Sequence, residues 1–255
     1  MKRLILEACV DNIESAINAQ KSGADRIELC SALLEGGLTP SLGLIKAAKA
    51  ELDIPIHVLI RPRRGDFLYS PREINIMKED IDFCRNLGID GVVFGVLNAD
   101  ASINIEANKE LLGYCTGMKT TFHRAFDMLS ESSVALEQLI DLGFDKILIS
   151  GQVCSAEQAG DSLKSLVVQA NNRISIIAAG GINAANIVKI VNQTGVGEVH
   201  ASARAQSKSK MLYQNPNANI SAAYFPNEFE HYSLKPENLK NMRISLDSSV
   251  KKLKK

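Results

Sequence analysis

The sequence has few cysteines, few aromatic residues and no excess of either charge. Its 255 residues include 5 Cys and no Trp, and 29 basic side chains balance 29 acidic ones. The cysteines lack Cys-x-x-Cys spacing, which argues against a closed zinc site, and their odd number argues against a disulfide framework. Balanced charge gives no electrostatic basis for binding nucleic acid or a membrane surface.

Long apolar runs are also missing. None approaches the roughly 20 residues that a membrane-spanning helix needs. The N-terminal segment Met1–Glu7 turns acidic before the apolar part of a signal peptide could form. These absences predict a cytoplasmic protein that is not in a membrane.

Short apolar runs recur along the chain, separated by about 20–35 residues. This spacing leaves room for one helix between consecutive runs, which is typical of parallel strands with helical crossovers. We predict an α/β fold, a (β/α)₈ TIM barrel formed as a single domain of residues 1–255. A doubly wound open sheet is the alternative, but no Gly-x-Gly-x-x-Gly follows the first run. The predicted strands are Leu4–Ala8, Arg26–Cys30, Ile56–Arg61, Gly91–Gly95, Thr120–Arg124, Lys146–Ser150, Ile174–Ala179 and Glu198–Ser202.

The pattern changes after the eighth run. Residues 205–235 are rich in Ser, Asn, Lys and Pro and predict a long irregular loop. A lid, an oligomer contact and a plain surface loop all remain open for it. Residues 236–255 predict a terminal helix that ends in lysines.

Polar residues within the predicted strands are informative, because strands of a parallel barrel are buried on both faces. Glu7 and Cys9 share one face of the first strand, and Glu28 and Cys30 share one face of the second. If that face is the barrel interior, two carboxylates and two thiols meet there. Buried carboxylates need a partner or a raised pKa.

Arginine and histidine lie at or just after the carboxyl ends of strands three and five, at the end of the barrel where active sites lie. Arg61 and Arg63, with Asp66 close behind, could pair with the glutamates or bind an anionic ligand. His123 could act as a general acid or base. Either His123 or Arg124 faces inward in a regular strand, and periodicity does not decide which. The same segment ends in Asp127.

Small residues follow strands six to eight, where many barrels bind phosphate through backbone amides. Diglycine also marks close helix–strand packing, and an internal ion-pair network would explain the glutamates and arginines without catalysis. The candidate ligand-binding residues here are Ser150, Gly180, Gly181, His200 and Ser202.

Several of these segments together resemble the CutC family, the copper homeostasis proteins. The resemblance runs from strand one to strand eight and departs from the family pattern at Arg64, where a glycine is expected. It implies a (β/α)₈ barrel, a cytoplasmic homo-oligomer (dimer or tetramer) and a role in copper handling. The segments are Ile27–Cys30, Glu35–Ser41, Ile60–Arg63, Gly65–Phe67, Phe122–Asp127 and Glu198–Ser202.

Two functions follow from these residues. The first is Cu(I) binding, because Cu(I) is soft and Cys9 and Cys30 could supply two thiolates. The second is an isomerase, epimerase or lyase acting on a small anionic or phosphorylated metabolite, with Glu7, Glu28 or His123 moving protons. A purely structural role would leave the polar strand ends unexplained.

Overall fold

Eight parallel strands close into a barrel in chain order in the computed structural model, which describes residues 3–215 and 229–252. The first strand pairs with both the second and the eighth, so the sheet has no free edge. The predicted TIM barrel is therefore confirmed and the open sheet is wrong. The strands are β1 (Ile5–Val10), β2 (Arg26–Leu29), β3 (Ile56–Leu59), β4 (Gly91–Phe94), β5 (Lys119–Phe122), β6 (Lys146–Ile149), β7 (Ser175–Ala178) and β8 (Glu198–Ala201).

Helices cover the outside of the barrel. Ser70 and Glu73 form a capping box at the start of the helix after β3, with Pro71 in its first turn. Asn12 caps the first helix, and its side chain accepts the Ser15 N–H. No helix within the described ranges is long and apolar enough to cross a membrane. The helices are α1 (Ile13–Lys21), α2 (Leu42–Glu51), α3 (Pro71–Asn86), α4 (Ile105–Leu112), α5 (Ser132–Leu142), α6 (Gly160–Ala170), α7 (Ile187–Thr194) and α8 (Pro236–Lys252).

The two faces of the barrel strands pack into different parts of the core, one against the helices and one inside the barrel. In β1, Leu6 and Ala8 belong to the large apolar layer that packs against the helices. Cys9 instead joins Leu59 and Val93 in a small cluster that the helices do not share. Because side chains alternate along a strand, this places Cys9, and Glu7 with it, on the inner face of the barrel. Polar residues of the same parity on the other strands therefore meet inside it.

Two further strands follow the barrel, where the sequence predicted an irregular loop over 205–235. β9 (Arg204–Lys208) and β10 (Glu230–Leu234) pair antiparallel, and the Ser207 and Ser233 hydroxyls lie 3.0 Å apart. We call this two-stranded sheet the arm. The prediction failed at both ends of the segment because polar strands give little hydrophobic periodicity. Residues 216–228 lie outside the described part of the chain. The terminal helix predicted from residue 236 is α8.

Candidate ligand and metal site

A cavity of about 320 Å³ opens at the carboxyl ends of the barrel strands. This is the end at which barrel enzymes bind their ligands. Its described lining combines thiol, carboxylate, imidazole and guanidinium groups with apolar residues and glycines. The residues are Cys9, Glu28, Leu33, Gly36, Leu59, Arg61, Phe67, His123, Arg124, Leu148, Ala179, Gly180, Gly181, Ile182, His200, Ala201, Ser202 and Arg204.

Three possible metal ligands meet in the wall of this cavity. One ligand atom each from Cys9, Glu28 and His200 lies within 4.8 Å of the others. The Cys9 Sγ is 3.5 Å from a Glu28 carboxylate oxygen and 3.9 Å from the Sγ of Cys30. Cys30 itself is fully buried and donates to the carbonyl oxygen of Val10. Adjacent strands β8, β1 and β2 thus bring together a set of donors from distant parts of the sequence.

Glu7 lies next to these three residues and orients the ring of His200. Its carboxylate is 2.7 Å from Nδ1 of His200, which leaves Nε2 as the ring nitrogen available to a ligand. Glu7 also pairs with Arg26, whose guanidinium reaches Glu198. Lys146 completes the network, 3.1 Å from Glu198. Glu7 is therefore held in ion pairs and is not among the residues that line the cavity.

Burial and neighbouring charges set the protonation of the cluster. The hydrogen bond with Cys30, together with burial, raises the pKa of the Cys9 thiol well above its usual value. Burial also raises the pKa of Glu28. Burial favours a lower pKa for His200, but the Glu28 charge and the Glu7 hydrogen bond outweigh it and raise that pKa. For Glu7, Arg26 and His200 outweigh burial, so its pKa is lowered and it stays ionised.

Arg61 and His123 form a second polar group in the cavity. The Arg61 guanidinium lies 5.1 Å from the Phe67 ring, and that ring lies 4.6 Å from the His123 ring. His123 Nδ1 accepts the backbone N–H of Ala125, so Nε2 carries the proton of the neutral ring. Burial and the Arg61 charge lower the pKa of His123 to about 3. His123 is therefore neutral at physiological pH, with its buried Nε2 lacking a hydrogen-bond partner among the described residues.

Arg124 also lines the cavity, so both His123 and Arg124 face it, where only one of them was expected to. His123 directly follows β5 and has a buried ring, whereas Arg124 begins a short 3₁₀ helix and also lines the cavity. Arg124 is tied to Asp127 at 2.8 Å and to the Ser150 hydroxyl at 3.0 Å. Asp127 accepts the Ser150 backbone N–H and hydroxyl as well. These three residues join the ends of β5 and β6.

Arg63 and Asp66 do not reach the described cavity lining. Arg63 pairs with Asp66 at 2.9 Å and with Glu73 at 2.6 Å, on the outer side of the loop after β3. The two arginines predicted to act together therefore have different surroundings. Arg61 points into the barrel, and Arg63 fastens the loop to the start of α3.

Known proteins are similar to this chain in sequence and in architecture. The family model for the CutC family matches residues 4–205. A CutC family protein of Bacteroides fragilis is 44% identical over 98% of this chain and 100% of its own length. The human copper homeostasis protein cutC homolog is 44% identical over 94% of this chain and 86% of its own length. The chain belongs to the CutC family.

Solved structures agree with that membership. The crystal structure of CutC from Streptococcus agalactiae is 38% identical, with a TM-score of 0.74 over 78% of this chain and 98% of that one. Phosphoribosylanthranilate isomerase of Thermotoga maritima has a TM-score of 0.58 at 12% identity, over 96% of this chain and 99% of that one. At that identity the likeness to the isomerase concerns the barrel fold alone.

In this CutC-family chain, most of the sequence-predicted site residues lie around one cavity. The structure adds two features that sequence reasoning missed. His200 joins Cys9 and Glu28, which barrel closure would have suggested because β8 must pair with β1. Arg204 also lines the cavity. It lies in the segment after strand eight, where no strand was predicted.

Proposed function

We propose that this CutC-family protein binds Cu(I) inside its barrel. One observation carries the proposal: Cys9, Glu28 and His200 offer ligand atoms within 4.8 Å of one another, with a second thiol 3.9 Å from the first. The curated human relative bears the name of a copper homeostasis protein, which supports copper as the ion.

The chemistry of the donor set fits a soft ion. Thiolates favour Cu(I) and imidazole also suits copper, whereas a carboxylate is a hard ligand. Metal–thiolate bonds are about 2.3 Å long in zinc sites, so two sulfurs 3.9 Å apart can contact one ion. We therefore assign Cys9, Cys30 and His200 as the Cu(I) ligands. Glu28 accepts from Cys9, and Glu7 holds the His200 ring.

An anaerobic titration of Cu(I) against a chromophoric chelator tests this assignment. We expect one tightly bound Cu(I) per chain, weakened at least about a hundredfold in Cys9→Ser, the cost of losing a principal ligand. Cys115→Ser is the matched control, because Cys115 is a buried thiol that donates to Leu111 instead. Unchanged affinity in both Cys9→Ser and Cys30→Ser would exclude the site. Tighter binding of Zn²⁺ than of Cu(I) would reassign the ion.

Acid–base catalysis on a small anionic metabolite is the second candidate. It is favoured by the buried His123, whose Nε2–H has no described partner, and by Glu28 with its raised pKa in the same cavity. Glu28 could donate and accept a proton during isomerisation, epimerisation or elimination, while the Nε2–H of the neutral His123 donates a hydrogen bond to an oxygen that gains negative charge. Incubation with a metabolite mixture in D₂O checks this. Deuterium incorporation that His123→Gln abolishes supports catalysis, and no incorporation with wild type counts against it.

We also propose that the protein works in the cytoplasm as a homo-oligomer. The five cysteines are free, as a reducing compartment would keep them. Met211, Leu212 and Tyr213 are exposed side by side after β9 and offer an apolar contact surface. Light scattering on the purified chain gives the subunit count, and a monomeric mass at working concentration would contradict assembly.

A further inference from the structure

The cavity lining contains arginine side chains that take no part in the proposed copper site. Arg61, Arg124 and Arg204 line it, and Glu28 is the single carboxylate among its described lining residues. Arg124 is neutralised by Asp127. Neither Arg61 nor Arg204 has an ion-pair partner in the described ranges. A charge removed from water is costly unless it is paired, so the buried Arg61 guanidinium calls for an anion, and the half-buried Arg204 adds a second cation to the same cavity.

Arg61 is held firmly without being neutralised. Its guanidinium donates to the carbonyl oxygens of Glu35, Gly37 and Gly65, at 3.1, 2.9 and 2.8 Å. These bonds fix the group but supply no negative charge. The side chain is 6% exposed, and its buried Nε has no partner among the described residues. A buried donor left without an acceptor is a feature that a bound ligand would satisfy.

Arg204 reaches the cavity because the arm begins there. It is the first residue of β9, directly after Ala203, which turns the chain with a left-handed φ of 46°. The Ala203 carbonyl oxygen accepts the Lys235 N–H, which fastens the turn to the far end of β10. The guanidinium stacks over Tyr232 of β10 at 5.4 Å, and its buried Nη1 has no described partner. The arm thus holds the side chain of Arg204, a residue of the cavity lining, against Tyr232.

We propose that Arg61 and Arg204 together bind the oxyanion group, carboxylate or phosphate, of a small metabolite. Guanidinium groups match both oxyanions because their N–H donors form a planar fork. Gly180 and Gly181 line the same cavity and have no side chains to fill it. A volume of about 320 Å³ suits a small metabolite, since typical ligand cavities span ~300–1,000 Å³. The ligand would be bound beside the thiols, so the pocket accepts an anion in addition to the metal.

Calorimetry on the metal-free protein at low salt tests the subsite, with inorganic phosphate and acetate as separate probes. We expect at least one probe to bind once per chain, and Arg204→Gln to weaken it about tenfold or more. Binding of phosphate alone would identify a phosphorylated ligand, and binding of acetate alone a carboxylic acid. Arg173→Gln is the control, because Arg173 pairs with Glu137 on the outer surface. It should leave the affinity unchanged.

Three outcomes would overturn the proposal: no binding of either probe, full affinity in Arg204→Gln, or an equal loss in Arg173→Gln. Arg61→Gln should weaken binding as well, but Arg61 also supports loop carbonyls. Circular dichroism must therefore show that this variant folds, and if it does not, Arg204→Gln decides alone. Because no copper is present, the result is independent of the copper titration.

Discussion

In the proposed copper site, the thiol of Cys9 determines how Cu(I) binding should respond to pH. Its hydrogen bond with Cys30 and its burial raise its pKa, so the sulfur is protonated at neutral pH in the metal-free protein. Thiolate is the form that binds a metal. Binding of Cu(I) must therefore displace the proton, and protons compete better as the pH falls.

We expect the Cu(I) affinity to rise with pH between about 6 and 8, about tenfold per unit for each displaced proton. His200, whose pKa is raised by Glu28 and Glu7 against the effect of burial, can add a second proton at the lower end. Competition against a chelator of known pH dependence measures this slope. Cys115→Ser should reproduce it, whereas a flat profile would mean that neither side chain loses a proton to the metal.

Side-chain alternation explains which residues the sequence could place. Once Glu7 was assigned to the inner face, Cys9 followed by parity, and Glu28 followed on the next strand. Parity could not reveal that Arg63 is satisfied locally, because its partners Asp66 and Glu73 come from a loop and a helix start. Local ion pairs depend on loop conformation, which hydrophobic periodicity does not encode.

At the scale of elements, the start of α3 supports the loop that holds Arg61. Ser70 accepts the Glu73 N–H, and the Glu73 carboxylate accepts both the Ser70 N–H and the Arg63 side chain. Arg63 in turn bonds the carbonyl oxygens of Arg64 and Asp66, which flank Gly65. The helix cap therefore fixes the loop whose Gly65 carbonyl accepts from Arg61.

Ser70→Ala should lower the free energy of unfolding by about 1 kcal/mol, the usual cost of losing a helix N-cap. Ser70→Asp should retain most of the stability that Ser70→Ala loses, because aspartate also caps helices well. Urea denaturation measures both. Ser133→Ala is a suitable control, since this exposed serine in the first turn of α5 caps no helix in the described chain. Equal losses in Ser70→Ala and Ser70→Asp would show that capping is not the stabilising contact.

The arm could not be predicted from the sequence, because short polar strands carry no hydrophobic pattern. β9 and β10 contain mostly polar residues and are partly exposed on both faces. Neither strand shows the apolar alternation that identifies half-buried strands. Their pairing depends on long-range contacts, such as that of Leu234 N–H with the Ser15 hydroxyl of α1. Arg204 could not be placed at the cavity without it.

At the scale of the molecule, the barrel fold was predictable because eight buried strands and their crossovers leave a strong repeat in the sequence. The interior below the cavity was less predictable. There Arg26 lies between Glu7 and Glu198, and Lys146 and Ser175 also contact Glu198. These residues come from β1, β2, β6, β7 and β8, so only the closed barrel brings them together. They join the amino-terminal part of the barrel to the cavity through Glu7 and His200.

Removal of Arg26 from this network should be among the most damaging single substitutions in the chain. Arg26 is 7% exposed, and Arg26→Met leaves the buried Glu7 and the half-buried Glu198 without their shared cation. Loss of one partner of a buried ion pair costs roughly 3–5 kcal/mol, so we expect a loss of this size at pH 7 by chemical denaturation. The loss should shrink at pH 5, because the pKa of Glu7 rises when Arg26 no longer lowers it against the effect of burial, and protonation of Glu7 then relieves the charge that His200 alone must balance. Arg173→Met, which breaks the exposed pair with Glu137, should cost far less at either pH. If the two variants lose similar stability, the interior network is not what holds the strands of the barrel together.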